Sequence, residues 1–346
     1  MLSRARLVLS ALAVTCSCSL ALACTRAVYL GPDGMIVTGR TMDWAEDMAS
    51  NLWFFPRGME RKGVHGKTAL TWTSKYGSIV ASVYEAASAD GMNEKGLVAN
   101  MLYLAESEYP PATDPRPAVS IAAWAQYVLD QFATVEEVVA HHRKEEFRIS
   151  PVKAPNGAEG TVHLAVSDPT GDSAIFEYVA GKLVIHHGRQ YQVMTNSPVY
   201  DQQLALNAYW KQIGGTIMLP GTNRAADRFA RASFYINACN QSSDQREAVA
   251  SVMSVMRNAS VPRGISTKDQ PNIASTLWRS AADQKNLVYF FENTNSPAVV
   301  WVKMKELDFA KESGVRKLTL VGHPDIAGDQ TKGFTTAKPY EFLASE

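Results

Sequence analysis

"CTRAVYLGPDGMIVTGRTMDW", residues 24–44, holds two apolar runs separated by Gly31-Pro32-Asp33-Gly34. The spacing predicts a strand from Cys24 to Leu30, a tight turn, and a returning strand from Met35 to Thr41. Such a hairpin carries Arg40 and Asp43 back alongside Cys24. Their three-residue spacing puts them on opposite faces of a regular strand. Both reach the cysteine only if the strand ends near Thr41 or Met42. Taken alone, the two residues read more plainly as a surface Arg–Asp pair.

What precedes Cys24 gives the hairpin its interest. Arg4 and Arg6 open the chain, Leu7 to Val14 are apolar apart from Ser10, and Ala21 and Ala23 form an A-x-A step. This is the pattern of a secretory signal, too short in its apolar part to remain as a membrane span of roughly 20 residues. Residues 1–23 are therefore expected to be removed, leaving a soluble exported protein, periplasmic or secreted, without a stable membrane anchor.

The 346 residues less that leader leave 323, and residues 24–346 read as a single domain with a sizeable core. Removing two basic residues and no acidic ones leaves 32 basic against 34 acidic. That balance argues against the concentrated basic surface a nucleic-acid partner needs. Cys16 and Cys18 leave with the leader, so only Cys24 and Cys239 remain. One bridge between them is the only disulfide open to the mature chain. "FYINACNQS" instead places Cys239 on an apolar helical pattern, as a buried core thiol.

Downstream, strands are expected at Ser78 to Ala86 and Leu97 to Leu104, with "DGMNEKG" as the turn between them. Ser120 to Phe132 has helical periodicity, and Thr134 with Glu137 forms a capping box for the next helix. Strands return in "TVHLAVSD", "SAIFEYV", "KLVIHHG" and "YQVMTN". Helices follow around 201–213, 223–239 and 245–258, then the strands "NLVYFFEN" and "AVVWVKM". Blocks of strands alternating with blocks of helices indicate an α+β fold. Dinucleotide, phosphate-loop and nucleophile-elbow motifs are absent. The seven histidines lack zinc-site spacing and read as solvent-facing or strand-face residues, so neither metal nor cofactor is expected.

A cysteine that becomes residue one carries a nucleophile and a base on one backbone unit. The α-amine, with an ordinary pKa of about 7.7–8.0, can take the thiol proton and return it to a leaving amine. The arrangement needs a cation beside the sulfur, an acceptor for the amine, and donors where an oxyanion forms.

The start "CTR" followed by "GRTMDW" resembles the choloylglycine hydrolase family of linear amide C–N hydrolases. Further landmarks recur in order: "DGMNEKGL" (90–97), "TNSP" (195–198), "LPGTNRAADRFAR" (219–231) and "STLWRSAADQKNLVYFFEN" (275–293). The resemblance runs from Cys24 to at least Glu292. It implies a four-layer αββα sandwich of the N-terminal nucleophile hydrolase type and a homotetramer. It makes Cys24 the nucleophile, Arg40 the cation beside it and Asp43 the partner of the α-amine. Asn196 would supply its side-chain amide to the oxyanion hole, and Arg228 would brace the network around Cys24 and Arg40. By themselves Asn196 reads as a strand-ending asparagine and Arg228 as an exposed helix arginine; the resemblance reverses both.

At Tyr103, where bile salt hydrolases carry an asparagine, the chain resembles penicillin V acylases. The Tyr103 backbone N–H remains available to the oxyanion hole. The exported form, "CTR" and Trp44 resemble the Gram-negative branch, which includes penicillin acylases that also cleave N-acyl homoserine lactones. The implied partner is a small-molecule amide with an apolar acyl group, its pocket lined by candidates Trp44, Tyr103 and Leu52 to Phe55. Conjugated bile salt hydrolysis is the alternative activity. The alternative of another class is a lipoprotein anchored through Cys24, for which Ala21-Leu22-Ala23 is the wrong order and a strand the wrong sequel.

Overall fold

β1 (Thr25–Leu30) and β2 (Ile36–Trp44) pair antiparallel from Thr25↔Thr41 to Leu30↔Ile36. The turn between them is a 3-10 turn at Pro32–Gly34, with Asp33 at φ 52° and Gly34 at φ 69°. Asp and Gly are residue types that accept the left-handed region. The computed structural model describes residues 24–155, 157, 159–267, 274–296 and 298–344. The leader, with Arg4, Arg6, Cys16, Cys18 and the Ala21–Ala23 step, lies outside them.

The hairpin sits inside a seven-stranded sheet. Val193–Met194 flanks β1; Ser275–Asp283 flanks β2, followed by Val288–Asn293, Val299–Lys303 and Gly328–Asp329. A nine-stranded sheet runs from Lys182–His187 through Ser173–Val179, Val162–Ser167, Val98–Tyr103, Ala87–Asn93 and Ser78–Val83 to β3 (Leu52–Phe55). Arg316–Leu318 and Thr335–Thr336 complete it.

Helices α1 (Ile121–Gln131) and α2 (Val135–His142) cover the nine-stranded sheet. Of the remaining helices, α3 (Tyr200–Ile213), α4 (Ala225–Ala238) and α5 (Gln245–Ala259), the last two pack on β1 and β2. This is the α+β, four-layer αββα sandwich. One buried apolar cluster joins α4 and α5 through the first sheet to the inner face of the second, including Tyr29, Phe54, Val252 and Met256. The other lies between the second sheet and α1 and α2, around Trp53, Phe55 and Trp124. Gly39 marks how close α5 comes, since a Cβ there would stand 2.4 Å from Val252 Cγ1.

Local signals survive well. Ser120 caps α1, accepting from Ala122 N at 3.0 Å. Thr134 and Glu137 make the expected capping box on α2. Four readings change. β2 continues to Trp44 instead of ending near Thr41, because Ser275–Asp283 pairs along it with a bulge between Thr276 and Trp278. That partner was not among the expected strands. "DGMNEKG" is half strand: Ala87–Asn93 runs through it and only its end turns. "YQVMTN" shrinks to Val193–Met194. Cys239 is a half-buried free thiol at the C-cap of α4, and Cys24 is free as well.

Candidate active site

Because β1 begins at Thr25, Cys24 lies just beyond the ladder, while β2 runs on past it through Met42 and Asp43. The overhanging strand supplies the sulfur's surroundings. Asp43 N donates to Cys24 Sγ at 3.5 Å, and Met42 Sδ stands 3.9 Å away. Strand alternation stays intact, so Arg40 and Met42 share one face, while Thr41 and Asp43 share the other with Gly39 under α5. The cysteine reaches both residues because it sits at an open strand end, not because β2 stops.

Burial pushes the Cys24 thiol pKa up, Arg40 and Arg228 pull it down, and Asp43 pushes it up again. Asp43 is raised to about 6, chiefly by burial, against the pull of Arg228 and of hydrogen bonds from Thr276 and Thr41. Thr276 Oγ1 donates to Asp43 Oδ1 at 2.5 Å and Thr41 Oγ1 to Oδ2 at 3.2 Å. With Ala23 attached the Cys24 nitrogen is an amide with one hydrogen, which it donates to Asn196 Oδ1 at 2.5 Å.

Arg228, read in isolation as exposed, is fully buried. It donates to Cys24 O at 2.5 Å, to Thr25 Oγ1 at 2.7 Å and to Asn196 Oδ1 at 2.9 Å. Two donors on Oδ1 fix the Asn196 amide, whose Nδ2 donates to Tyr103 O at 2.7 Å. An amide nitrogen carries two hydrogens, so one remains for another acceptor.

Arg40 crosses to the second sheet. It donates to Ala89 O at 2.8 Å and Met101 O at 2.6 Å. The ladder between those two strands ends one pair short of them, at Asp90↔Asn100. Arg40 thus occupies the mouth of a splay between Ala87–Asn93 and Val98–Tyr103. Its nearest carboxylate, Asp90, is 3.8 Å away. Leu104 N donates to Thr161 O, making Tyr103↔Val162 a pair without mutual hydrogen bonds. The Tyr103 N–H and C=O therefore both face the splayed side, where Asn196 Nδ2 already sits.

The splay opens a cavity of about 120 Å3 whose walls include Cys24, Arg40, Met42, Trp44, Tyr103 and Val162. Trp44 Nε1 donates to Tyr84 OH at 2.9 Å, and its ring meets Tyr103 edge-on, centroids 6.3 Å apart. Leu52 to Phe55 do not line it. As a central strand, β3 buries Leu52 and Phe54 toward the first sheet and Trp53 and Phe55 toward α1.

Sequence reasoning passed over several supports. Fully buried His163 bridges Glu177 Oε1 at 2.9 Å and Thr195 O at 2.8 Å, fixing the approach to Asn196. Gln203 Nε2 holds Asn196 O at 3.0 Å. Thr276 lay inside a quoted motif, which was the one available signal. Among the described residues no three His, Cys, Asp or Glu side chains converge as a metal site.

Two sheets, antiparallel but for the edge strand Gly328–Asp329, packed face to face between helices with the candidate site at the head of an inner strand, make this fold that of the N-terminal nucleophile hydrolases. Residues 24–317 match the linear amide C–N hydrolases, choloylglycine hydrolase family, and the chain belongs to that family of amide C–N hydrolases. It is 50% identical to a penicillin V acylase of Pectobacterium atrosepticum, over 96% of both chains. It is 24% identical to a bile salt hydrolase/transferase of Clostridium perfringens, over 82% of this chain and 93% of that one. The structure of penicillin V acylase from Agrobacterium tumefaciens superposes with a TM-score of 0.86 at 55% identity, covering 93% of this chain and all of the other. A conjugated bile acid hydrolase from Clostridium perfringens shares the fold, with a TM-score of 0.70 at 23% identity over 83% and 94% of the two chains.

Proposed function

We propose that export and removal of residues 1–23 expose Cys24 as the amino-terminal nucleophile of a penicillin V acylase-like hydrolase. Cleavage turns the Cys24 nitrogen from an amide into an amine. The Cys24 thiol gives its proton to that amine, and Arg40 and Arg228 stabilise the thiolate. Sulfur attacks the substrate carbonyl, and the oxyanion takes hydrogen bonds from Asn196 Nδ2 and the Tyr103 N–H. The C–N bond breaks as the α-ammonium protonates the leaving amine. Water, giving a proton to the α-amine, then attacks the thioester; the acid leaves and the thiol is restored. Asp43 takes part by holding charge near the ammonium through the Thr41–Thr276 bracket.

The observation that carries this reading is that Asn196 ties the Cys24 nitrogen to the Tyr103 carbonyl while Cys24 and Tyr103 line one apolar cavity. A cavity of about 120 Å3 suits a phenoxyacetyl or linear acyl group better than a steroid. Penicillin V and N-acyl homoserine lactones are therefore the expected substrates, ahead of conjugated bile salts. The homotetramer belongs to the same proposal and is read by sedimentation.

The test joins the amino-terminal sequence and intact mass of the exported chain to an assay of penicillin V, an acyl-homoserine lactone and glycocholate. The expected result is an unmodified Cys24 terminus, phenoxyacetate release, most activity lost in Cys24→Ser and all of it in Cys24→Ala. A lipidated Cys24, or full turnover by Cys24→Ala, would falsify the mechanism.

A further inference from the structure

The splayed strands leave the cavity open toward the α1 layer, and a segment remote in sequence closes it there. Cys24, Arg40 and Met42 come from the first sheet; Ile121, Ala122 and Leu343 line the same cavity from the side of α1. Leu343 is pinned at that spot. Its N–H donates to Ala86 O at 2.9 Å, and its carbonyl accepts from Ser120 Oγ, the hydroxyl that also caps α1. Tyr340 anchors the segment, sharing a 2.6 Å hydrogen bond with Ser88 Oγ and packing edge-on against Trp53 at 5.1 Å. The stretch lies beyond residue 317, outside the family match.

We propose that Leu343 is the end stop of the acyl pocket and sets the length of acyl chain this protein accepts. The inference rests on the amidase reading above, in which the acyl group enters from Cys24. An acyl chain growing from the Cys24 thioester passes between the strands beside Arg40, on the side lined by Ala87 and Tyr103, and its end meets the Leu343 side chain. About 120 Å3 is small beside the roughly 300–1,000 Å3 of pockets that enclose drug-sized ligands. A stop at this point therefore limits length. Cutting the side chain back to a methyl group lengthens the pocket, and a larger ring shortens it. Leu343 touches the acyl end and not the reacting atoms, so it is a specificity residue.

The experiment measures Leu343→Ala and Leu343→Phe beside the parent, with thermal melting to confirm folding. Straight-chain acyl p-nitroanilides from butanoyl to dodecanoyl report turnover. The matching free fatty acids, titrated calorimetrically, report binding. The expected result is a shift of the optimum to longer chains in Leu343→Ala and to shorter ones in Leu343→Phe. The decanoyl-to-hexanoyl ratio of kcat/KM should move about tenfold in opposite directions, the scale set by a methylene in an apolar pocket. Superimposable chain-length profiles in all three proteins, or shifts of the same sign in both variants, overturn the proposal. Opposed shifts in fatty-acid binding without p-nitroanilide turnover would support the end stop and count against the amidase reading alone.

Discussion

Two buried arginines on the two sides of the second sheet show opposite uses of the same side chain. Arg61 is closed into a pair: its Nε donates to Asp130 Oδ2 at 3.1 Å, and the carboxylate also accepts from Trp72 and Gln126. Its guanidinium lies over the Phe55 ring at 4.3 Å. Arg40 donates to two backbone carbonyls and keeps Asp90 at 3.8 Å. Its Nε has no hydrogen-bond partner among the described residues. The first charge is neutralised on the spot. The second is held rigidly with its field still directed at Cys24, where it lowers the thiol pKa. A buried cation whose carboxylate partner stands at 3.8 Å without a hydrogen bond keeps part of its field for a charge that forms later.

The largest expected effect separates the two. Arg61→Met leaves Asp130 buried without its cation and should cost about 3–5 kcal/mol of stability, while the folded fraction keeps its kcat. Urea unfolding together with active-site titration reads both. Arg40→Met should do the reverse. Activity is expected to fall about 10^2–10^3-fold, comparable to loss of a preorganised electrostatic contact, with the smaller change in melting temperature. Equal stability losses without a kinetic difference would break the comparison.

Asn196→Ala removes the Nδ2 donor and the acceptor that Arg228 and Cys24 share. The expected kcat loss is again about 10^2–10^3-fold, with KM for penicillin V changed less than kcat. An unaltered kcat would remove Asn196 from the oxyanion site.

A smaller effect concerns pH. Asp43 titrates at about 6 in the fold against an ordinary 3.8. The folded state therefore holds this proton more tightly than the unfolded one, and stability falls as pH rises from about 4 to about 6. The contribution is present below the unfolded pKa and lost through the folded one. Asp43→Asn should flatten that window in urea unfolding measured at pH 4, 5, 6 and 7. An unchanged stability profile in Asp43→Asn would place the titration elsewhere.

The sequence by itself determined the hairpin, the capping box and the cast of the site. The "GPDG" turn and the Thr134–Glu137 capping box act over a few residues, so short-range geometry suffices to read them. Cys24, Arg40, Asp43, Asn196 and Arg228 were named through ordered motifs. Their meeting was not legible, because Arg228 lies 204 residues from Cys24 and Asn196 lies 172 away. Tertiary structure decided how they meet. Ser275–Asp283 carries β2 past the end of β1, which leaves Cys24 beside an overhang that reaches both faces. Arg40 occupies the place where the second sheet's ladder fails, which opens the cavity beside Cys24. It also decided that Leu52 to Phe55 are core and that Leu343 is a wall. An apolar residue serves a core or a pocket with the same chemistry, and only the neighbouring layers determine which surface it faces.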